Sequence, residues 1–476
     1  MRRTKIVATI GPASRSPEML DELLRAGVDV VRLNLAHADH ATHRGTAEMV
    51  RDAAERAGRE IAILADLPGP KMRSGPVIGG EVSLEPGQSF TLFDEEREGD
   101  EKGVSTTVAN FAELVEAGDE IFLADGAIIL KVTGVDGPDV LTEVVRRGLL
   151  RSKKGMHLPR AETKIEAFTE DDEEALGHAL AFGVDLVGLS FIRDAEDIQR
   201  ARASMSSKKR SRSKQPLLIA KIETRSAVEN LQEIIAEADA VMVARGDLGI
   251  QLPFKEVPLL QKEIIRACNS IGTPVITATQ MLESMTHGPL PSRAEVNDVA
   301  NAVLDGTDAL MLSEETAVGA YPVQTVETMA EIAEAAEREG REQVGYIDHD
   351  EHDDPVSWAI ARAAVHAAEE LDVAAILCPT RSGATARRVA AFRPHMPILG
   401  LGHTSETVRA LALVWGVIPK TVRFLPEEQL ASDAIAHALE AARQSGIVKP
   451  GELVAVVAGG PQPRTGSTDF LRIVSA

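Results

Sequence analysis

Along most of the chain, short apolar runs alternate with longer stretches in which apolar positions recur at helical spacing. Eight runs stand out: Lys5–Ile10, Asp29–Asn34, Ile61–Asp66, Asp185–Phe191, Leu217–Glu223, Ala240–Arg245, Pro274–Gln280 and Asp308–Leu312. Most are continuous rather than alternating, the pattern of parallel strands covered on both faces. Strands separated by helical segments predict βα units and a parallel sheet. The gap between Asp66 and Asp185 is far too long for one helix. Eight parallel strands with one long interruption predict an α/β fold, a (β/α)8 TIM barrel carrying an inserted domain.

The interruption has a different texture. Val82–Leu84, Phe90–Leu92, Ile128–Leu130 and Leu141–Val144 are short strand-like runs separated by Gly, Pro and Asp turns. They predict a small β domain. After the eighth run, a helix from about Pro322 to Glu339 leads into an acidic, His-containing linker at Tyr346–Pro355. A final α/β segment follows, with strands near Ala374–Cys378, Pro397–Leu401 and Leu453–Ala458. The expected division is 1–70 and 161–340 for the barrel, 71–160 for an inserted lid, and 341–476 for a C-terminal α/β regulatory domain.

Composition narrows the class. A 476-residue chain that is 44% hydrophobic can bury a large core. Its net charge of −22 argues against nucleic acid or an anionic membrane as the main partner. A few local cations can still hold an anionic substrate. Two cysteines, Cys268 and Cys378, form no disulfide framework and fit a reducing cytoplasm. The first apolar run breaks at Gly11-Pro12, too soon for a signal peptide, and no run reaches membrane-spanning length. A cytoplasmic protein is expected.

In barrels of this kind the chemistry sits at the C-terminal ends of the strands. There the sequence places Arg32 and Asn34, then Asp66, then Lys221 and Glu223. Arg245-Gly246-Asp247, Thr279-Gln280 and Ser313-Glu314-Glu315 follow. Period-two alternation puts Lys221 and Glu223 on one side of their strand. Glu223 and Asp247 are hard oxygen donors suited to Mg²⁺ (or Mn²⁺) with positions open for substrate oxygens. Arg32 and Lys221 can hold a phosphoryl group. Gly246 lets a backbone N–H approach a small carboxylate. The set reads as an anionic-substrate site with a divalent metal.

Other patterns carry less. Ser204–Lys214 is a basic, Ser-rich run that reads as a solvated loop. Asp348–Asp354 reads as an exposed linker rather than a metal site. There is no P-loop and no GxGxxG following a strand.

The runs RRTKIVATIGPAS from Arg2, VVRLN from Val30 and AKIET from Ala220 closely resemble the pyruvate kinase family. So do VARGDLGI from Val243, TATQMLESM from Thr277 and the long run RAEVNDVANAVLDGTDALMLS from Arg293. The resemblance implies transfer of the phosphoryl group of phosphoenolpyruvate to ADP. In that family's terms Lys221 stabilises the transferring phosphoryl group, and Arg32 holds it in the ground state. Glu223 and Asp247 bind Mg²⁺, the Gly246 and Asp247 backbone orients the carboxylate, and Thr279 stands at the protonation of the enolate. Arg73, His37, Lys153 and Lys154 contact the nucleotide. The resemblance also implies a homotetramer, and a phosphorylated activator at Thr380, Arg381, Ser382, Gly383 and Thr385, a loop whose hydroxyls and N–H groups suit an anion.

Where the family usually binds K⁺, Asn34 and Asp66 remain, but Ala36, Leu67 and Lys71 stand in place of Ser, Thr and Glu. A lysine ammonium matches K⁺ in charge and roughly in size. The expectation is an enzyme that does not require K⁺. Glu314 replaces a usual Gly, and nothing in the sequence explains it; Asn297 stands for a usual Ser. Two other readings remain open from sequence: a lyase or aldolase handling a pyruvate enolate, and a catalytically silent binding protein.

Overall fold

The computed structural model describes residues 2–70, 72–108, 110–124, 126–160, 165–208, 215–340, 354–422, 431–459 and 467–476. Eight parallel strands close into a barrel: Lys5–Thr9, Val30–Asn34, Ala62–Asp66, Leu186–Leu189, Leu217–Ile222, Ala240–Ala244, Val275–Ala278 and Ala309–Leu312. Neighbours around the barrel are neighbours in sequence, and the ring closes where Lys5 faces Ala309. Each of the eight expected runs contains one of these strands. The structure stops several of them short, at Leu189, Ile222, Ala244 and Ala278. Past these ends Ser190, Glu223 and Arg245 have left the ladder and bond to neighbouring strand ends and loops instead.

Two apolar layers explain the continuous runs. Inward residues such as Val7, Leu64, Ile219, Met242 and Ile276 fill the barrel, while Ile6, Ile63, Leu218 and Val241 pack outward on the helices. The helices start where capping chemistry dictates. Ser292 accepts from Glu295 N while Glu295 accepts from Ser292 N, a capping box that opens the helix Arg293–Leu304. The helix Pro322–Glu339 lies as expected.

The insert is a β domain. Six strands pair in the order Met156–His157, Glu120–Leu123, Ile128–Asp136, Asp139–Arg146, Ser89–Phe93, Gly103–Ser105. A separate ribbon joins Glu81–Leu84 to Gly148–Arg151. Its own core holds Phe90, Phe111, Leu130 and Val144. The C-terminal sheet runs Val417–Thr421, Ile398–Gly402, Ala375–Pro379, Leu453–Ala458, Phe470–Ser475, with the last strand antiparallel. Its two edge strands were not expected from sequence; their partly exposed residues lack a continuous apolar run.

This last domain closes the N-terminal end of the barrel. Ala412 and Leu413 pack into the same buried cluster as the barrel interior. Arg409 Nε donates to Asp185 Oδ1 at 2.7 Å, and Arg51 Nη2 meets Asp185 Oδ2 at 2.6 Å. No helix among the described residues is long and apolar enough to cross a membrane.

Candidate active site

A cavity of about 1640 Å³ opens at the C-terminal mouth of the barrel. Arg32, Asn34, His37, Asp66, Lys221, Glu223, Gly246, Asp247 and Thr279 all line it. Lys221 is nearly buried, and its Nζ donates to Ser190 Oγ at 2.7 Å. The same ammonium lies 2.8 Å from Glu223 Oε1 and 3.3 Å from Asp66 Oδ1. Burial alone would lower the Lys221 pKa. The charges of Asp66, Glu223 and Asp247 outweigh it and hold the ammonium above its ordinary range. Lys221 is therefore a fixed cation.

Arg32 is the second cation. Its Nε donates to Asp66 Oδ2 at 2.8 Å and its Nη1 to Thr9 Oγ1 at 3.0 Å. Asp66 thus stands between two cations. Burial would raise its pKa, but Lys221 and Arg32 together bring it below the usual value.

Glu223 is fully buried and accepts from Phe191 N at 2.7 Å through Oε2. Burial, joined by the Asp247 charge, pushes its carboxyl up to about 7 despite Lys221. Glu223 Oε1 and Asp66 Oδ1 are buried, and both form ion pairs with Lys221. Two carboxylates on one wall, Glu223 and Asp247, are a donor set that fits a hard divalent cation.

The opposite wall is shaped by backbone. A Cβ on Gly246 would sit 2.9 Å from Thr279 Cγ2, so only glycine lets the two segments meet. Thr279 has φ +75° and Gln280 φ +54°. A β-branched residue in that region costs about 1–3 kcal/mol, which surrounding contacts must hold. Glu315 ties the neighbouring loops together, accepting from Ser313 N at 2.7 Å and Leu282 N at 3.2 Å.

Residues 1–326 match the family described as pyruvate kinase, barrel domain, and residues 358–474 match pyruvate kinase, alpha/beta domain. The chain belongs to the pyruvate kinase family. It is 41% identical over 475 residues to a pyruvate kinase of Geobacillus stearothermophilus, covering 99% of this chain and 80% of that one. To a pyruvate kinase of Thermococcus litoralis it is 42% identical, covering 99% and 98%. The crystal structure of a pyruvate kinase from Cryptosporidium parvum superposes with a TM-score of 0.89 at 31% identity, covering 100% of this chain and 96% of that one. The chain is accordingly an enzyme that moves the phosphoryl group of phosphoenolpyruvate to ADP. Pyruvate kinases generally require Mg²⁺ and usually K⁺.

Other expected pyruvate kinase residues lie apart from this cavity. Arg73, Lys153 and Lys154 sit together at the base of the insert, where Arg73 Nη1 donates to Lys153 O at 3.4 Å and Lys154 N to Ser74 Oγ at 3.0 Å. They do not line the cavity. Lys71 lies outside the described residues. Of its expected neighbours, Asn34 Oδ1 accepts from Ala36 N, and Leu67 O accepts from Ser190 Oγ at 2.7 Å. In the C-terminal loop, Thr380 Oγ1 accepts from Gly383 N and Ser382 Oγ from Ala384 N. Thr385 Oγ1 pairs with Thr468 Oγ1, and Arg381 O accepts from Thr407 Oγ1. Gly383, at φ +89°, turns the chain into the helix Ala384–Ala391.

Sequence reasoning missed Ser190 and Thr9, which hold Lys221 and Arg32. Both are small polar residues at strand ends, and the run Asp185–Phe191 absorbed Ser190 as strand. That position is the signal that could have found it.

Proposed function

We propose that the cavity carries out phosphoryl transfer in two stages, with roles divided among the residues that line it. Arg32 holds the phosphoryl group of phosphoenolpyruvate, and Lys221 neutralises the charge that builds on it in the transition state. Glu223 and Asp247 hold Mg²⁺, which supplies positive charge for the substrate's carboxylate and enolate oxygens. The Gly246 and Asp247 backbone orients the carboxylate. Once the phosphoryl group has left, Thr279 serves the relay that protonates the enolate carbon. The observation that carries this reading is the burial of Lys221 between Asp66 and Glu223 at the cavity floor.

The insert, 71–160, acts as a lid between barrel segments 1–70 and 161–340. His37, Arg73, Lys153 and Lys154 contact ADP, and closure brings Lys153 and Lys154 over the cavity and excludes water. Lys71 supplies the charge that K⁺ gives other family members. Ala36 supports this, because it removes the Ser hydroxyl that would be a ligand of a K⁺ site. Domain 341–476 takes a phosphorylated activator at Thr380–Thr385, and the working enzyme is a cytoplasmic homotetramer.

The test is pyruvate formation from phosphoenolpyruvate and ADP with Mg²⁺, in buffer free of K⁺ and NH₄⁺, followed by K⁺ addition. Full activity without K⁺ is expected. Activity that appears only with K⁺ removes the role given to Lys71 and leaves the rest standing.

A further inference from the structure

Arg245 is the first residue after the sixth barrel strand, and its side chain is only 13% exposed. Its guanidinium reaches across to the end of the seventh strand. Nε donates to Ala278 O at 3.0 Å and Nη2 to Thr279 O at 2.5 Å. One rigid plane therefore takes both carbonyls that flank the Thr279 backbone. The other side of the plane is anchored from two helices. Asp298 Oδ1 accepts from Nη1 at 2.8 Å and Gln261 Oε1 accepts at 3.2 Å. Thr279 and Gln280 are both held at positive φ, a conformation a β-branched residue does not keep unaided. Gly246, next to Arg245, gives Thr279 Cγ2 the room it occupies.

We propose that Arg245 is a positioning residue for the proton-transfer step, clamping the Thr279 backbone so that its side chain stays on the cavity wall beside Gly246. The inference rests on the reading of Thr279 as the proton-transfer residue. A fork of coplanar donors is what spans two carbonyls, so lysine cannot replace it. Because Arg245 acts through Thr279, substitutions at the two positions act as one unit and do not add.

The experiment follows deuterium exchange at the methyl group of pyruvate by NMR, in the full-length enzyme with Mg²⁺ and ATP. In this step the C–H bond at C3 breaks, the proton passes to the relay and the electron pair remains as the enolate. Arg245→Gln is expected to slow exchange on the order of 100-fold, the cost of misplacing a reacting group by about 1 Å. KM for phosphoenolpyruvate should change little, because the groups assigned to its phosphate and carboxylate remain. Arg245→Lys should not restore the rate, and Arg245→Gln combined with Thr279→Val should be no slower than the slower single variant.

An unchanged exchange rate in Arg245→Gln, or losses that multiply in the double variant, overturns the proposal and leaves Thr279 in its role. Exchange unaffected by Thr279→Val removes the role of Thr279 itself. If Arg245→Gln does not fold by circular dichroism, Asp298→Asn keeps the guanidinium but loosens its anchor. A smaller loss of exchange is then expected, and an unchanged rate counts against the clamp.

Discussion

Lys221 Nζ lies 2.8 Å from Glu223 Oε1, with the carboxylate fully buried and the ammonium nearly so. Lys221 lies near the end of its strand and Glu223 just past it, and both line the cavity. Burying charges this deeply is costly unless each is answered. Lys221 is answered by Asp66, Glu223 and Ser190, so it stays charged on the cavity wall.

Lys221→Met is expected to lower kcat by about 10²–10³-fold or more, the range for losing a preorganised charge in a dry site. Folding and Mg²⁺ binding should persist, as read by circular dichroism and Mn²⁺ titration. Turnover near the wild-type rate would remove Lys221 from the chemistry.

Gly246→Ala places a methyl group 2.9 Å from Thr279 Cγ2. Thr279 must move, so kcat/KM for phosphoenolpyruvate is expected to fall by about 10–100-fold. The thermal midpoint should barely change, because the clash is confined to the cavity wall. Steady-state kinetics beside a melting curve separate the two.

Asp29 gives a pH prediction. Burial would raise its pKa, but Arg2, Lys5 and Arg59 hold it below its ordinary 3.8, helped by Ile6 N. A carboxylate depressed on folding stabilises fully above its unfolded value, and that stability is lost as pH falls through the folded value. Asp29→Asn should therefore cost about 2 kcal/mol at pH 7. The difference from wild type should persist at pH 5 and shrink below 3.8. Urea midpoints across that range would show it, and a gap that widens on acidification would contradict it.

Asp185 joins two domains, since Arg51 of the barrel and Arg409 of the C-terminal domain both meet its 1% exposed side chain. Asp185→Ala takes the carboxylate from both guanidinium groups, leaving Arg51 only the Ile61 and Gly183 carbonyls, and frees Ile63 N. A loss of about 3–5 kcal/mol is expected in urea unfolding. An unchanged midpoint would mean that the contact does not hold the domains together.

By itself, the sequence determined the architecture. Runs such as Ile61–Asp66 and Ala240–Arg245 are continuous and apolar because parallel strands are covered on both faces, and that pattern survives without any knowledge of neighbours. The break between Asp66 and Asp185 marked the insert for the same local reason. The polar residues at the end of each run were legible as site candidates, because a barrel sends its strand ends to one mouth. The edge strands Val417–Thr421 and Phe470–Ser475 were not legible, since an edge strand with partly exposed residues needs no continuous apolar pattern.

Only the tertiary structure decided which of those polar residues answer one another. Ser190 under Lys221, Thr9 beside Arg32 and Arg245 across Thr279 are contacts between different strands or their loops. The pKa of Glu223 depends on burial by the barrel, and the carbonyls either side of Thr279 are met by an arginine 34 positions away. Strand periodicity is written within a few residues, whereas desolvation and hydrogen-bond partnership arise only when distant segments close around the same point.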